Sequence, residues 1–154
     1  MKILITKILV LLLLVASLQM LFAKFYVKHF LNQFDELKLL NTYLDQKVDV
    51  ISFGDSTIFN HAEKDTDKRT TYEMLQELSP RYKIGAITHG AYQMDLYLEY
   101  CKYIVKQKYH PKAIIIPINM RSFSPEWDTR PSYQFKKEKL LLSDNKILLT
   151  FYNT

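Results

Sequence analysis

A short apolar run, Val48-Asp49-Val50-Ile51-Ser52-Phe53, ends abruptly in Gly54-Asp55-Ser56. In an open parallel sheet, ligands bind in the crevice beyond the carboxyl ends of the strands, so a serine delivered there stands where chemistry occurs. Ser56 is the candidate nucleophile. The alternative is a strand that closes in a Gly, Asp and Ser turn, as many do. Attack by a serine oxygen on an acyl carbonyl also needs donors for the oxyanion, and two further run ends offer them. Gly90 follows a second apolar run, and glycine tolerates φ > 0 and close backbone approach, so its N–H is a candidate donor. The plainer reading makes His89-Gly90 only the turn into a helix. Asn119 closes a third run with a side-chain amide. The Ser56 and Gly90 backbone N–H groups and the Asn119 side chain would together form an oxyanion hole, and losing one such donor typically costs about 3 to 4 kcal/mol of transition-state stabilisation.

These three residues converge only if the runs are neighbouring strands. Residues 82–88 and 112–118 read as the second and third strands, and 70–78 and 91–108 as helices,. Alternating strands and helices predict an α/β domain with a parallel sheet. Strand order 2-1-3 places the Ser56 strand in the middle, with Gly90 and Asn119 on its two neighbours. The unbroken run Ala113-Ile114-Ile115-Ile116 predicts a strand buried on both faces. In the long helix, Met94, Leu98, Cys101 and Val105 form the expected buried stripe, and its tyrosines cover the sheet. Past Asn119, a loop carries Arg121, Trp127 and Pro131. Arg121 and Trp127 suit an anionic group and a sugar ring, or equally a surface salt bridge and a core anchor. A basic segment follows at 136–139, and the apolar stretch 146–152 is a fourth strand or a helix.

The chain has 154 residues, a formal net charge of +5 and a single cysteine, Cys101. One domain fits this length, an intrachain disulfide is excluded, and the lone thiol does not indicate a redox compartment. Positive charge suits an anionic lipid or glycan surface, while the lack of a dense basic run with interleaved aromatics argues against nucleic acid. Residues 8–23 carry no charge and would span about 24 Å as a helix, slightly less than a hydrocarbon core of about 30 Å. Lys7 and Lys24 can snorkel to make up the difference. We therefore expect residues 1–24 to be an uncleaved signal anchor, contacting membrane lipid, with the domain translocated. A cleavable signal peptide is the competing reading, and Leu21-Phe22-Ala23 is a poor cleavage site for it. Residues 25–46 place Phe30, Phe34, Leu37 and then Leu40 or Leu44 at helical spacing, as an amphipathic stalk or a helix packed on the domain.

Over residues 48–127 the sequence resembles the SGNH hydrolases, the GDSL-like esterases and lipases. Gly54-Asp55-Ser56 matches their first block, Gly90 the glycine of the second, and Asn119 the asparagine of the third, where Pro117 and Met120 replace the usual glycine and aspartate. The resemblance implies a three-layer flavodoxin-like sheet, Ser56 as nucleophile, Gly90 and Asn119 as oxyanion donors, and no cofactor or metal. The family's C-terminal Asp-x-x-His block is missing. A serine needs a positioned base, and the histidines here are His29, His61, His89 and His110. Of these, His61 and His89 lie near the right edge. The resulting expectation is a C-terminally truncated SGNH-type domain over 47–154. Its expected activity is that of an esterase or O-acyltransferase acting on acyl esters of a cell-envelope polysaccharide. The alternative is a non-catalytic interaction subunit with polysaccharide-modification partners. A nucleotide site lacks the repeated glycines of a phosphate cradle, and a phosphotransferase centred on Asp55 lacks a second aspartate for magnesium.

Overall fold

The computed structural model describes residues 2–59, 63–130 and 134–143. Within them lie a three-stranded parallel sheet and seven α-helices. The uncharged N-terminal run forms the middle of α1 (Lys2–Gln33). Its segment Leu4–Phe22 is long and apolar enough to cross a membrane and is not buried. The helical path breaks at Phe34, and α2 (Asp35–Asp45) follows with Asp35 and Glu36 in its first turn, where acidic groups favour the helix dipole,. Lys47 takes the left-handed conformation after α2. The Val48 N–H reaches back to the Tyr43 carbonyl and the Lys47 N–H to that of Leu44, a Schellman closure with lysine in the usual glycine position,.

The strands are β1 (Val50–Gly54), β2 (Ile84–Thr88) and β3 (Ala113–Ile115), in the order β2-β1-β3. Ile51 pairs with Gly85 and Ile114, so these residues share a face, as do Phe53 and Ile87,. That face carries the core. Leu37, Leu40 and Leu44 of α2 pack there with Leu96, Tyr97, Tyr100 and Ile104 of α5 (Met94–Val105) and Leu141 and Leu142 of α7 (Lys136–Leu142). Phe53 lies 5.4 Å from the Tyr97 ring and 5.2 Å from that of Tyr100. Of the two readings of residues 25–46, the second half is thus a helix packed on the domain. On the opposite face, α3 (Ser56–Phe59) sits so close to β1 that a Cβ at Gly54 would lie 2.9 Å from both Ile58 and Thr88. Next comes α4 (Thr71–Leu78), opened by a capping box in which Thr70 and Glu73 exchange hydrogen bonds, and Gln76 ties it to β2 through the Ile84 N–H,.

Two sequence expectations need correction. The buried stripe of α5 is Leu96, Tyr97, Tyr100 and Ile104, whereas Leu98 and Val105 are exposed. Aromatic rings that can fill the space over Phe53 take the inner face, displacing the aliphatic stripe to the outside. The third strand is also shorter than expected and is not buried on both faces, since Ala113 and Ile115 are exposed. Their face is that of Ser52, where α3 and α4 cover β1 and β2 and leave the β3 side open. The stretch 146–152 lies outside the described residues.

Candidate functional site

Strand order brings the three sequence-predicted segments to one edge. Ser56, the residue after next from β1, opens α3, Gly90 lies two residues beyond β2, and Asn119 lies four beyond β3. The His89 N–H donates to the Gly54 carbonyl, which extends the β1–β2 pairing past the strands and draws the Gly90 turn toward Ser56.

A buried carboxylate, Asp55, organises this edge. Its Oδ1 accepts from the Thr57 N–H at 2.8 Å and the Thr57 hydroxyl at 2.6 Å. Its Oδ2 accepts from Asn119 Nδ2 at 2.7 Å and faces an Arg121 guanidinium nitrogen at 3.7 Å. Burial pushes the Asp55 pKa up, but the Thr57 hydrogen bonds, then that of Asn119 and the Arg121 charge, outweigh it and hold the carboxyl below its ordinary value,. Asn119 Oδ1 in turn caps the 3₁₀ turn Met120–Phe123 by accepting from the Arg121 N–H at 3.0 Å. The Arg121 guanidinium lies 5.1 Å from the centroid of Trp127, which belongs to α6 (Pro125–Thr129),.

The Ser56 hydroxyl is partly exposed, and neither it nor the Ser56 amide has a hydrogen-bond partner among the described residues. Asn119 stands at the expected edge, but one of its amide hydrogens is committed to Asp55, leaving the other as donor,. Gly90 is different from the expectation in one respect. No glycine has a positive φ, and Ala91 adopts the left-handed conformation instead, at φ 64°. A Cβ at Gly90 would meet open space, so its lack of a side chain relieves no contact there.

No described histidine is hydrogen-bonded to Ser56. His89 Nδ1 lies 2.8 Å from the Gly90 carbonyl, which requires Nδ1 to carry the proton, and Nε2 faces Glu36 at 3.9 Å,. Its ring stacks on Tyr92 and meets Phe135 edge-on. His110 binds the Val105 carbonyl at the end of α5, His61 lies outside the described residues, and His29 lies on α1. Cys101 is partly buried, and burial pushes its thiol pKa up, away from nucleophilic use,. No cluster of metal-ligating side chains occurs among the described residues.

Sequence reasoning passed over Asp55 as the centre of the site, though its place between Gly54 and Ser56 marked it. It also passed over Tyr97, whose buried hydroxyl has no hydrogen-bond partner among the described residues. Burial, and then the charge of Asp55, push the Tyr97 pKa up, so this hydroxyl stays protonated beside the carboxylate,. Compared with known proteins, the chain matches no family model, no curated protein and no solved structure.

Proposed function

We propose that the chain is a membrane-anchored serine esterase or O-acyltransferase of the SGNH type, with its domain on the extracytoplasmic side and an acyl ester of a cell-envelope glycan as substrate. The observation that carries this reading is the β2-β1-β3 order, which gathers Ser56, Gly90 and Asn119 at one sheet edge around a fixed carboxylate. Ser56 Oγ attacks the acyl carbonyl carbon while a base takes its proton. The ester C–O bond then breaks, the alcohol leaves with a proton, and water or a sugar hydroxyl accepts the acyl group from the serine. The Ser56 amide, the Gly90 amide and the remaining Asn119 N–H face the developing oxyanion. Arg121 and Trp127 flank the entrance as the groups suited to an anionic substituent and a sugar ring. Ser56→Ala is expected to abolish both fluorophosphonate labelling of the native membranes and hydrolysis of a short-chain acetyl ester, with folding intact. Equal turnover by the variant ends this reading.

A second reading, a non-catalytic interaction subunit of a polysaccharide-modification system, is favoured by the missing base at Ser56 among the described residues. It predicts no labelling of the wild-type chain and recovery of a partner from solubilised membranes.

A further inference from the structure

The membrane helix and the candidate site meet at the same end of the domain. Through Phe34, α1 leads directly into α2, and α2 runs antiparallel to β2, with Glu36 beside His89 at the strand's carboxyl end and Tyr43 over Gly85 at its start. Phe34 itself is buried, its ring 6.3 Å from Tyr100. A second element, α7, begins at this edge, where Phe135 contacts His89 and Tyr92, and it packs against α1 as well as α5. The anchor therefore enters the domain at the carboxyl edge of the sheet. Beyond Phe22, residues 23–33 of α1 add about 16 Å of helix,. A domain of some 100 residues has a radius of gyration of about 13 Å and is roughly 30 Å across. A stalk shorter than the domain it carries, entering at one edge, keeps that edge nearer the bilayer than the other.

The near edge also has the chemistry of a lipid-facing surface. Ile118, Met120 and Phe123 are 70%, 78% and 63% exposed, well above what such side chains show in a core. Met120 and Phe123 stand three apart in a 3₁₀ turn and so share one side of it,. The hydrogen bond from Asn119 to Asp55 fixes this turn at the carboxyl end of β1. Charges of both signs lie along this edge: Arg121 in the same turn, paired with Asp55, and the exposed Lys136 beside Phe135, with Glu36, Glu126 and Glu138. Exposed apolar tips on a turn held at the end of the domain where a membrane-length helix enters are suited to the interface of a bilayer.

We propose that the carboxyl edge of the sheet docks on the lipid surface, with Ile118, Met120 and Phe123 entering its interface and Ser56 opening toward it. This inference rests on α1 spanning the bilayer and is independent of the acyl chemistry. The full-length chain, placed in phosphatidylcholine and phosphatidylglycerol vesicles with brominated acyl chains, tests it. In a Cys101→Ala background, Met120→Cys, Phe123→Cys and Lys108→Cys each carry an environment-sensitive fluorophore. Lys108 is the control because it lies past the far end of α5, next to the segment where Lys112 N–H meets the Asp49 carbonyl before β1. Circular dichroism of each labelled protein, matching that of the wild type, verifies the fold. The expected result is a bromine-dependent loss of emission at 120 and 123 with none at 108. No loss at 120 and 123 in a chain that resists alkaline extraction overturns the docking while leaving the anchor in place, and loss at 108 alone overturns it by reversing the edge. Release of the chain by alkaline extraction overturns the anchor reading and the docking with it.

Discussion

Asp55 joins four groups from two segments: the Thr57 amide and hydroxyl, and Asn119 and Arg121. Because its pKa is lowered on folding, its contribution to stability is complete above the unfolded carboxylate value of about 3.9 and is lost as pH falls through the folded value,. Asp55→Asn is expected to destabilise the protein by about 1 to 3 kcal/mol at neutral pH, since it withdraws a buried charge-assisted acceptor from Asn119 and Arg121. Denaturant unfolding at a series of pH values should show the difference from wild type shrinking below about pH 4. A constant difference across that range would place the stabilisation in shape rather than charge. At this scale the sequence was legible where a residue type was tied to a strand end. The places of Ser56 and Asn119 at the carboxyl edge of the sheet were legible because Gly-Asp-Ser and Pro-Ile-Asn punctuate apolar runs. Gly90 also lies at this edge, but the left-handed conformation expected of it is taken by Ala91 instead. The Asp55 hub was hidden because Asn119 lies 64 residues away, and no local pattern encodes such a contact.

Elements were legible where periodicity and punctuation agreed, as in β1, β2, α4 and the 2-1-3 order. They were misread where volume decides. On α5 an aliphatic stripe and a tyrosine stripe compete, and only the presence of Phe53 beneath them settles which turns inward. The end of α2 was legible, since the expected stretch 25–46 closes at the Gln46 cap, although the left-handed residue that follows is Lys47 rather than glycine. As α2 is a core helix, Leu40→Ala is expected to cost about 2 to 5 kcal/mol, whereas Leu39→Ala, on the exposed side of the same turn, costs within about 0.5 kcal/mol,. Chemical unfolding of the two variants in detergent separates this from a mere spacer, for which both changes would be silent. Gly85 carries the packing of α2 on β2, since a Cβ there would lie 2.6 Å from the Tyr43 ring. Gly85→Ala should therefore cost about 1 to 3 kcal/mol. The same change in a Tyr43→Leu background should cost less, and full additivity would show that the ring is not what excludes the methyl group.

For the whole molecule, the membrane-length helix was legible as an uncharged run, while its relation to the sheet required the α2 path. The core draws on both ends of the described chain: Phe34, Leu37 and Leu40 on one side of the sequence, Leu141 and Leu142 on the other. Leu141→Ala is expected to cost about 2 to 5 kcal/mol, comparable to Leu40→Ala, in the same unfolding assay,. Much smaller loss would make α7 an appendage. This closure also governs how the protein is made. During synthesis α1 is completed first, and α2 and the sheet then emerge while tethered to it. Until residues 141 and 142 are released, part of the apolar surface shared by α5 and α7 has no cover. Contacts so distant in sequence form late, and their absence exposes a growing chain to aggregation. The interval between the appearance of Tyr100 and that of Leu142 is thus the window in which a nascent chain most needs protection, and a ribosomal pause within it would lengthen that exposure.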